Sequence, residues 1–436
     1  MAKDTLILQP GQTVRTQLAN AVCTVEQHLG GGGQGEVYRA SLAGHPVALK
    51  WYFPAQATPE QFTALQMLVQ KGAPTAAFLW PIDIAISPVI TGFGYIMPLR
   101  EPRFHGIVDL MKRRVEPSFR ALSTAGLGLA HSFLLLHAQG LCYRDISFGN
   151  VFFDPQDGSV LICDNDNVTI DGAAHGGVLG TPRFMAPEVV RGEALPSTQT
   201  DLWSLAVLLF YMLLVHHPLE GKREAAIHAL DLPAMNRLYG TDPLFIYDPR
   251  DESNRPVPGL QDNAILFWNL YPHFLRELFT RAFTAGMRDP QARVRESEWR
   301  VALARLRDAI VLCQHCGAEN FYDADAVKAG VPARCWSCAG EVTLPPRIRI
   351  GRHVVMLNPG SLLFPHHVDE QQMYNFSVPV GVVTAQKQPA LKNLSAGLWL
   401  VTAADGKRTE TKPGQTVALK NGTKISFGKG EGEIRV

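Results

Sequence analysis

The sequence predicts an α+β protein made of three successive parts: a large mixed domain, a small cysteine-bearing module and an all-β domain. Up to about residue 308, strand-like and helix-like stretches alternate with glycine-rich and carboxylate-bearing motifs. Two C-x2-C pairs follow, and from Pro345 onward short apolar runs are separated by turn residues. A chain of 436 residues is also longer than one hydrophobic core usually serves.

Composition narrows the range of partners and compartments. With 41 basic and 40 acidic residues the formal net charge is +1, which gives no reason to expect nucleic acid or an anionic membrane as a partner. The longest apolar run, Leu202 to Val215, is short for a membrane span. The first residues lack the apolar core of a secretory signal, and four of the seven cysteines lie in C-x2-C pairs. We therefore expect a cytoplasmic protein with a bound metal.

The stretch from Cys142 to Asn150, CYRDISFGN, is the motif around which the large domain is organised. It lies between an apolar helical segment and the strand-like run Val151-Phe152-Phe153. Asp145 is followed five residues later by Asn150. In a phosphoryl-transfer loop such an Asp orients a hydroxyl and accepts its proton, and the Asn holds a magnesium ion. The spacing predicts these roles here.

A glycine-rich turn occurs early in the chain, after a lead-in of about 20 residues and a strand that begins near Val22. Its pattern is G-x-G-x-x-G-x-V, in which backbone without side chains can close over phosphates. Alone, such a turn is usually a plain hairpin, so the evidence for phosphate binding has to come from the next strand. That strand is Val47-Ala48-Leu49-Lys50, whose Lys we expect to contact the α- and β-phosphates. The residues that carry the pattern are Gly30, Gly32, Gly35 and Val37.

The partner of Lys50 is left open by the sequence. Thr58 and Pro59 are typical of a helix start, and the helix that follows has Glu60 as its one carboxylate. Glu60 either pairs with Lys50 or is an acidic residue favoured at a helix N-terminus. If Gln61 is the aligned residue, the usual ion pair is absent.

Further residues complete a nucleotide pocket and a metal site. Met97 stands where the back of the pocket is expected, and the connector Pro98 to Arg100 contributes Leu99. Ala48 and Phe152 are expected to line the same pocket. The strand-like run from Val160 ends in Asp164, which we expect to be the second magnesium ligand.

Together these motifs resemble those of eukaryotic-like Ser/Thr protein kinases. The loop YRDISFGN resembles H-R-D-L-x-x-x-N, and Gly180 to Glu188, GTPRFMAPE, resembles the family's G-T-P-x-x-M-A-P-E. The resemblance implies a bilobal kinase fold over residues 21–308, with the N-lobe to about 98 and the C-lobe from about 101, and ATP and Mg²⁺ as cofactors. It also implies a Glu188–Arg293 pair, an Asp201 that braces the catalytic loop, and a Thr181 contact to Asp145.

Three positions depart from the family pattern. Tyr143 replaces a His, Asn165 replaces the Phe of D-F-G, and Ser147 replaces a Lys that helps to hold the γ-phosphate. Loss of one charge-stabilising contact typically lowers a rate by about 10²-fold without abolishing it. The sequence therefore favours a slow kinase, and the alternative is a pseudokinase scaffold that binds nucleotide and partner proteins.

A polar segment and two helical patterns follow the kinase motifs. The stretch from Gly221 to Asn263 is polar and Pro-rich, and we interpret it as a kinase-lobe insert that faces substrate or partners, the alternative being a plain surface loop. Helical patterns follow from Ile265 to Ala285 and from Ser297 to about Val311.

Four cysteines predict a small zinc ribbon over residues 309–345. Two-residue spacing lets each pair of thiolates occupy adjacent corners of a tetrahedron, and four thiolates close the shell, so the zinc is expected to be structural. His315, between the first two cysteines, is expected to be exposed and not a ligand. The four predicted ligands are Cys313, Cys316, Cys335 and Cys338.

Residues 346–436 predict an all-β sandwich from short apolar runs and turn dipeptides such as Asp405-Gly406 and Asn421-Gly422. Gly351-Arg352 near its start and the ending Ile425 to Gly428 resemble a forkhead-associated domain. No S-x-x-H follows the Gly-Arg at the usual interval, so we interpret the domain as a degenerate interaction module.

The combination of kinase, four-Cys ribbon and forkhead-associated-like tail is similar to bacterial kinases of tellurite-resistance-associated gene clusters. Those kinases accompany a von Willebrand factor A protein and a metal-dependent protein phosphatase. The resemblance implies these two proteins as substrates and partners.

Overall fold

The computed structural model describes residues 6–172, 178–385 and 388–436. The first five residues of the expected lead-in therefore lie outside the described part. The chain divides into two compact units, and the domain boundaries expected near residues 308 and 345 stay predictions. The first unit comprises Met1–Pro117, Ala125–Gln261 and Phe279–Trp299; the second comprises Ser118–Thr124, Asp262–Leu278 and Arg300–Val436.

Strands account for most of the elements. In chain order they are β1 (Thr13–Thr16), β2 (Val22–Gly31), β3 (Gly35–Leu42), β4 (His45–Tyr52), β5 (Asp83–Ile86), β6 (Phe93–Pro98), β7 (His105–Gly106), β8 (Leu141–Cys142), β9 (Val151–Phe153), β10 (Val160–Ile162), β11 (Thr169–Ile170), β12 (Ile310–Leu312), β13 (Glu319–Phe321), β14 (Arg347–Ile350), β15 (His353–Met356), β16 (Leu362–Leu363), β17 (Gly381–Val383), β18 (Ala390–Asn393), β19 (Trp399–Thr402), β20 (Arg408–Thr411), β21 (Thr416–Ala418), β22 (Lys424–Ser426) and β23 (Glu431–Arg435).

The helices lie mainly in the first 310 residues. They are α1 (Pro59–Lys71), α2 (Ile107–Met111), α3 (Phe119–Ala138), α4 (Pro187–Val190), α5 (Thr198–Leu214), α6 (Lys222–Ala225), α7 (Leu232–Asn236), α8 (Asp262–Leu270), α9 (His273–Ala282), α10 (Ala285–Arg288), α11 (Glu296–Asp308), α12 (Ala324–Lys328) and α13 (Pro365–Val368). Short 3₁₀ turns cover Asn165–Asn167, Pro290–Ala292 and Glu370–Gln372, and a π-helical turn covers Arg237–Thr241.

The N-terminal part of the first unit is a closed six-stranded sheet in the order β1-β2-β3-β4-β6-β5. Pairing of β1 with β5 closes it. Inward-facing apolar side chains such as Val25, Tyr38 and Leu49 fill its interior. Strand β4 lies between β3 and β6, so its end carries Lys50 to a fixed place in a continuous hydrogen-bonded sheet.

Helix α5 is the buried centre of the helical part of the first unit. Every residue from Thr200 to Leu214 is buried, which explains its long apolar run. Ser197 caps its N-terminus in a capping box with Thr200. Asp201, in the first turn, is thereby held at a defined place under the catalytic loop.

One helix among the described residues, α3, is long and apolar enough to cross a membrane by length and composition. Of its most apolar window, 61% is buried within the protein. Core helices of globular proteins pass the same test, so this finding is weak evidence for a membrane span.

The second unit contains three sheets. A two-stranded hairpin pairs β12 with β13, a six-stranded sheet has the order β15-β14-β23-β22-β19-β20, and a four-stranded sheet has the order β16-β17-β18-β21. The six-stranded sheet contributes Ile348, Trp399 and Ile425 to a core cluster, and the four-stranded sheet adds Leu391 and Val417 to the same cluster. The two larger sheets therefore share one core.

One helix expectation needs correction. The helical pattern from Ile265 to Ala285 is not one helix, because α8 ends at Leu270 and α9 begins at His273. Pro272 lies at this break, and a proline lacks the N–H that a continuous helix needs. The insert expected from Gly221 to Asn263 contains three short helical turns, α6, α7 and the π-helical turn, and its role stays a prediction.

Candidate active site

Most of the predicted nucleotide-binding residues of the first unit line one cavity of about 730 Å³. Glycine-rich backbone, strands β3, β4 and β6, the connector and the segment around Asp164 all contribute to its wall. Of the predicted residues, those in the lining are Gly30, Gly32, Gly35, Val37, Ala48, Lys50, Met97, Leu99, Asp145, Phe152 and Asp164. Glu60 and Asn150 are outside that lining, and Asn150 lies directly behind Asp145.

Gly35 is required by the packing of the glycine-rich hairpin. A Cβ atom at this position would lie 2.2 Å from the backbone oxygen of Trp51, so only glycine lets β3 approach β4 so closely. The turn itself is closed by a hydrogen bond of 3.0 Å from the Gly32 N–H to the Gly35 oxygen. Gly33, by contrast, has open space around it.

Lys50 is buried at the end of β4, with 4% of its side chain exposed. Its Nζ lies 2.9 and 3.1 Å from the two carboxylate oxygens of Asp166 and 3.3 Å from Oδ1 of Asp164. Burial by itself lowers the pKa of Lys50, but the charges of Asp166 and Asp164 outweigh it and raise that pKa above its ordinary value. The lysine is therefore a fixed cation facing the cavity.

Of the alternatives that the sequence left open for Glu60, the structure favours the acidic residue at a helix N-terminus, and the described contacts of Lys50 lack the usual ion pair with a glutamate of α1. Glu60 is exposed in the first turn of α1, and among the described contacts it makes no ion pair with Lys50. Thr58 does cap the helix as expected, with its side chain accepting from the Gln61 N–H. The buried partner is Asp166, which sequence reasoning missed.

Asp166 is held by two tyrosines as well as by Lys50. The Tyr52 hydroxyl donates to Oδ2 at 2.5 Å, and the Tyr95 hydroxyl donates to Oδ1 at 3.0 Å. Although complete burial would raise the pKa of Asp166, Lys50 and these hydroxyl donors lower it. The sequence shows a carboxylate where D-F-G has a glycine, but it does not show that this carboxylate is buried and therefore needs a cation.

The glycine-rich loop contacts the segment after Asp164 through Gln34. Its side-chain oxygen accepts from Lys50 Nζ at 3.1 Å, and its amide donates to the Asn167 side chain at 2.8 Å. Gln34 and Asn167 both line the cavity. Phosphates that approach Lys50 must displace this Gln34 contact.

The catalytic loop places Asp145 beside Asn150 and Thr181. The Asn150 side-chain amide donates to the backbone oxygen of Asp145 at 2.8 Å and to its Oδ2 at 3.0 Å. The Thr181 hydroxyl donates to Asp145 Oδ1 at 2.8 Å, which confirms the contact expected for it. These donors fix the carboxylate at the mouth of the cavity.

Asp201 braces the loop from below, as expected. Its two oxygens accept hydrogen bonds from the backbone N–H groups of Tyr143, at 2.5 Å, and Arg144, at 2.9 Å. His137 lies 3.1 Å from the same carboxylate and also contacts Glu296. The loop backbone is thus tied to helix α5 by charge-assisted bonds.

The expected Glu188–Arg293 pair is also confirmed. Arg293 Nη2 lies 2.8 Å from both carboxylate oxygens of Glu188, and only 2% of the arginine side chain is exposed. Removing one partner of such a buried ion pair lowers the stability of the protein, because it leaves an unpaired charge in the interior. It holds the segment after Gly180 onto the helical part of the unit.

Two of the unusual residues occupy the interior beneath the site. Tyr143 is fully buried, its ring packs edge-on against Phe133, and its hydroxyl donates to the Cys163 carbonyl. Asn165 is also fully buried, and its amide donates to the Ile162 oxygen at 3.0 Å. Tyr143 therefore connects the catalytic loop to the chain immediately before Asp164.

Asp164 itself has the geometry of a ligand-bearing turn. Its backbone is in the left-handed region, at φ 48°, which is uncommon for a residue other than glycine. Its side chain is 41% exposed, and its described contact to Lys50 uses only Oδ1. With the Asn150 side-chain oxygen, it supplies oxygen donors of the kind that Mg²⁺ prefers.

The four cysteines of the second unit converge, as their spacing predicts. Their sulfur atoms all lie within 4.8 Å of one another, with Cys313 to Cys338 at 3.7 Å and Cys316 to Cys335 at 3.6 Å. Burial raises the pKa of Cys335, but backbone N–H groups and the Asn320 amide lower it to about 6. The backbone N–H of Gly340 lowers the pKa of Cys338, but hydrogen bonds to the other sulfur atoms raise it to about 12, so these shifts favour a thiolate at Cys335 and a thiol at Cys338.

Comparison with known proteins gives the class of the first unit. Residues 105–267 match the family model for the protein kinase domain. That range includes Asp145, Asn150 and Asp164 and begins after Lys50.

The chain is similar to several protein kinases over part of its length. It is 33% identical over 125 residues to CBL-interacting protein kinase 4 of Oryza sativa subsp. japonica, covering 27% of each chain. It is 38% identical over 93 residues to protein kinase C delta type of Mus musculus, covering 20% of this chain and 13% of the relative. A third relative is the cell cycle serine/threonine-protein kinase CDC5/MSD2 of Saccharomyces cerevisiae, 30% identical over 131 residues, with 27% of this chain and 17% of the relative covered.

The chain thus spans at most about a quarter of the length of these relatives. A protein kinase domain implies a bilobal α+β fold, ATP with Mg²⁺ and protein substrates. With the motifs and the cavity described above, these matches show that the chain contains a protein kinase domain.

Proposed function

We propose that this protein is an ATP- and Mg²⁺-dependent serine/threonine kinase of a bacterial phosphosignalling system, whose C-terminal modules recruit partner proteins. The observation that carries the catalytic part is that one cavity brings together the glycine-rich loop, Lys50, Asp145 and Asp164. A scaffold that only presents binding surfaces has no chemical need for this set.

The catalytic residues divide the work of phosphoryl transfer. Asp145, oriented by Thr181 and Asn150, accepts the proton of the substrate hydroxyl. Lys50 holds the α- and β-phosphates once Gln34 has moved aside. Asn150 and Asp164 would hold Mg²⁺, which supplies charge neutralisation on the transferred phosphoryl group.

Ser147 leaves the site without one cation that related kinases use at the γ-phosphate. It is buried where related kinases have a lysine for the γ-phosphate, and its neighbour Phe148 packs against Phe184 and Tyr211. One cation fewer at the transferred group corresponds to a rate about 10²-fold lower. This feature favours the second candidate, a nucleotide-binding pseudokinase scaffold.

The test compares wild type with Asp145→Asn in the presence of labelled ATP, Mg²⁺ and a generic basic protein. Label on either protein that appears with wild type and disappears with the variant supports the kinase. If ATP raises the melting temperature of wild type but no label appears, even with the partner proteins below, the scaffold is the better description.

The C-terminal modules supply the proposed recruiting surfaces. The four-cysteine cluster is proposed to hold a structural Zn²⁺ in a ribbon, and the two sheets with a shared core support a forkhead-associated-like sandwich. The combination of modules supports a von Willebrand factor A protein and a metal-dependent phosphatase as partners, and a cytoplasmic location. Copurification of either protein with the full chain, and its phosphorylation by wild type, would test this assignment.

A further inference from the structure

We propose that Asp166 is the residue that positions Lys50 for the phosphates of ATP, and that helix α1 contributes the neutral Gln61 to the surroundings of this pair in place of a carboxylate. In kinases generally, a glutamate on the helix after the lysine strand provides that partner. The inference rests on the proposed kinase function and deepens it, because it assigns a positioning residue to the phosphate-binding lysine.

Both side chains of the Lys50–Asp166 pair are buried. The Lys50 side chain is 4% exposed and that of Asp166 is 0% exposed, and both carboxylate oxygens lie within 3.1 Å of Nζ. A buried cation must be paired, since removing one partner leaves an uncompensated charge in the interior. The direction in which Lys50 points is therefore set mainly by Asp166.

The carboxylate is itself fixed in orientation. Tyr52 donates to one oxygen and Tyr95 to the other, and the two tyrosines come from neighbouring strands of the closed sheet. Each oxygen thus has one contact to Lys50 and one to a hydroxyl. A carboxylate held in this way has no freedom to follow a moving helix.

Helix α1 reaches the pair with a neutral group. The Gln61 amide donates to the Tyr52 hydroxyl at 3.0 Å and to the Asp166 backbone oxygen at 3.2 Å. Glu60, one residue earlier, is exposed. The helix therefore contributes hydrogen bonds to the cage of Asp166 without supplying its charge.

Asp164 keeps a separate task. Its contact to Lys50 is longer, at 3.3 Å, and 41% of its side chain is exposed to the cavity. Because Asp166 is the permanent partner of Lys50, Asp164 remains available to ligate Mg²⁺. Two aspartates two residues apart thus divide the functions of pairing and of metal ligation.

The experiment compares Asp166→Asn with Glu60→Gln, two charge removals of the same kind, in the full-length protein. Turnover is measured by phosphoryl transfer, and binding is measured for ATP with Mg²⁺ and for adenosine, which lacks phosphates. We expect Asp166→Asn to lower kcat by about 10²-fold and the affinity for ATP by about tenfold. The affinity for adenosine should be unchanged. Glu60→Gln should stay within about twofold of wild type in all three measurements.

Two further variants separate positioning from a general loss of structure. Asp166→Glu keeps the charge and should recover part of the preference for ATP over adenosine. Tyr95→Phe keeps the carboxylate but removes one anchor, so kcat should fall several-fold at an unchanged adenosine affinity. This second variant serves as the test if Asp166→Asn does not fold, as judged by its melting transition.

The proposal is overturned if Asp166→Asn, or Tyr95→Phe in its place, binds ATP and adenosine in the wild-type ratio, or if Glu60→Gln shows the larger loss. The ratio of the affinities for ATP and adenosine can be measured without any turnover. A wild type that binds ATP without transferring phosphate therefore contradicts the proposed kinase function alone. A wild type that binds neither compound contradicts both.

Discussion

His137 is a buried cation at the centre of the support for the catalytic loop. It lies between Asp201 and Glu296, and only 10% of its side chain is exposed. Burial would lower the pKa of this histidine, but the two carboxylates raise it to about 9. The histidine is therefore charged at neutral pH and connects α5 to α11.

This raised pKa predicts a loss of stability in alkali. Because the pKa is higher in the folded protein than the ordinary value of 6.5, the contribution is complete below about pH 6.5 and disappears as the pH rises through about 9. The loss should reach about 3 kcal/mol in the free energy of unfolding. Urea unfolding at pH 6.5 and pH 9.5 measures it. In His137→Gln the fall between those two values should be smaller by that amount, and an equal fall in both proteins would contradict the assignment.

Tyr143 performs a structural task with its hydroxyl, which reaches the Cys163 carbonyl beneath Asp164. Tyr143→Phe leaves this buried acceptor without its donor, and such an unmade bond costs about 1–3 kcal/mol. We expect a lower melting temperature and a reduced kcat, because Asp164 follows Cys163 directly. Thermal unfolding and phosphoryl transfer on the purified variant measure both effects. Wild-type values for both would show that ring packing against Phe133 alone is sufficient.

At the scale of elements, the approach of β3 to β4 depends on Gly35. Gly35→Ala introduces a Cβ atom that would lie 2.2 Å from the Trp51 oxygen, so the two strands must separate where the phosphates are expected. We expect ATP affinity to fall by about tenfold or more, since the loop no longer closes on the cavity. Calorimetric titration with ATP and Mg²⁺ measures this change.

Gly33→Ala is the matched control for that variant. Gly33 belongs to the same loop, is exposed and has no atom within 4 Å of an added Cβ. Its ATP affinity should remain close to wild type. Equal losses in the two variants would mean that loop flexibility, and not the contact with β4, limits binding.

The four-cysteine cluster predicts one structural zinc per chain. Cys335→Ser removes a ligand and should lower the bound zinc, measured by elemental analysis, to well below one ion per chain. It should also lower the melting temperature, because metal binding contributes to the folding free energy of such modules. His315→Ala is the control, since His315 is exposed between two of the ligands and should not be needed. Loss of zinc in the His315 variant would contradict the four-thiolate assignment.

For the whole molecule, the order of motifs was sufficient to predict a kinase domain in the first part of the chain. The motifs indicate the site because few other residue types can replace its glycines, its lysine and its carboxylates in binding phosphate and metal. Thr181 on Asp145, Asp201 under the loop and Arg293 on Glu188 are all as expected. Each of these contacts links motifs that are recognisable on their own.

The partner of Lys50 could not be predicted in this way. Asp166 is 116 residues from Lys50, and the contact arises from packing of strand β4 against the turn after β10. The sequence shows a polar cluster there, and only the burial of Asp166 between two tyrosines distinguishes it from an ordinary turn. Pro272 is visible in the sequence, but the apolar periodicity on both sides of it predicts helix, and only the structure shows that α8 and α9 are separate.

The cage around Asp166 also has a consequence for inhibitor selectivity. Compounds that require the Asp164–Asp166 segment to rotate outward must break the Lys50 ion pair and two tyrosine hydrogen bonds, and must extract the buried Asn165. Such compounds should bind this kinase domain poorly. Flat heteroaromatic compounds that need only the space between Ala48, Met97, Leu99 and Phe152 should compete with ATP normally, so a small panel of both kinds would show a strong bias toward the second.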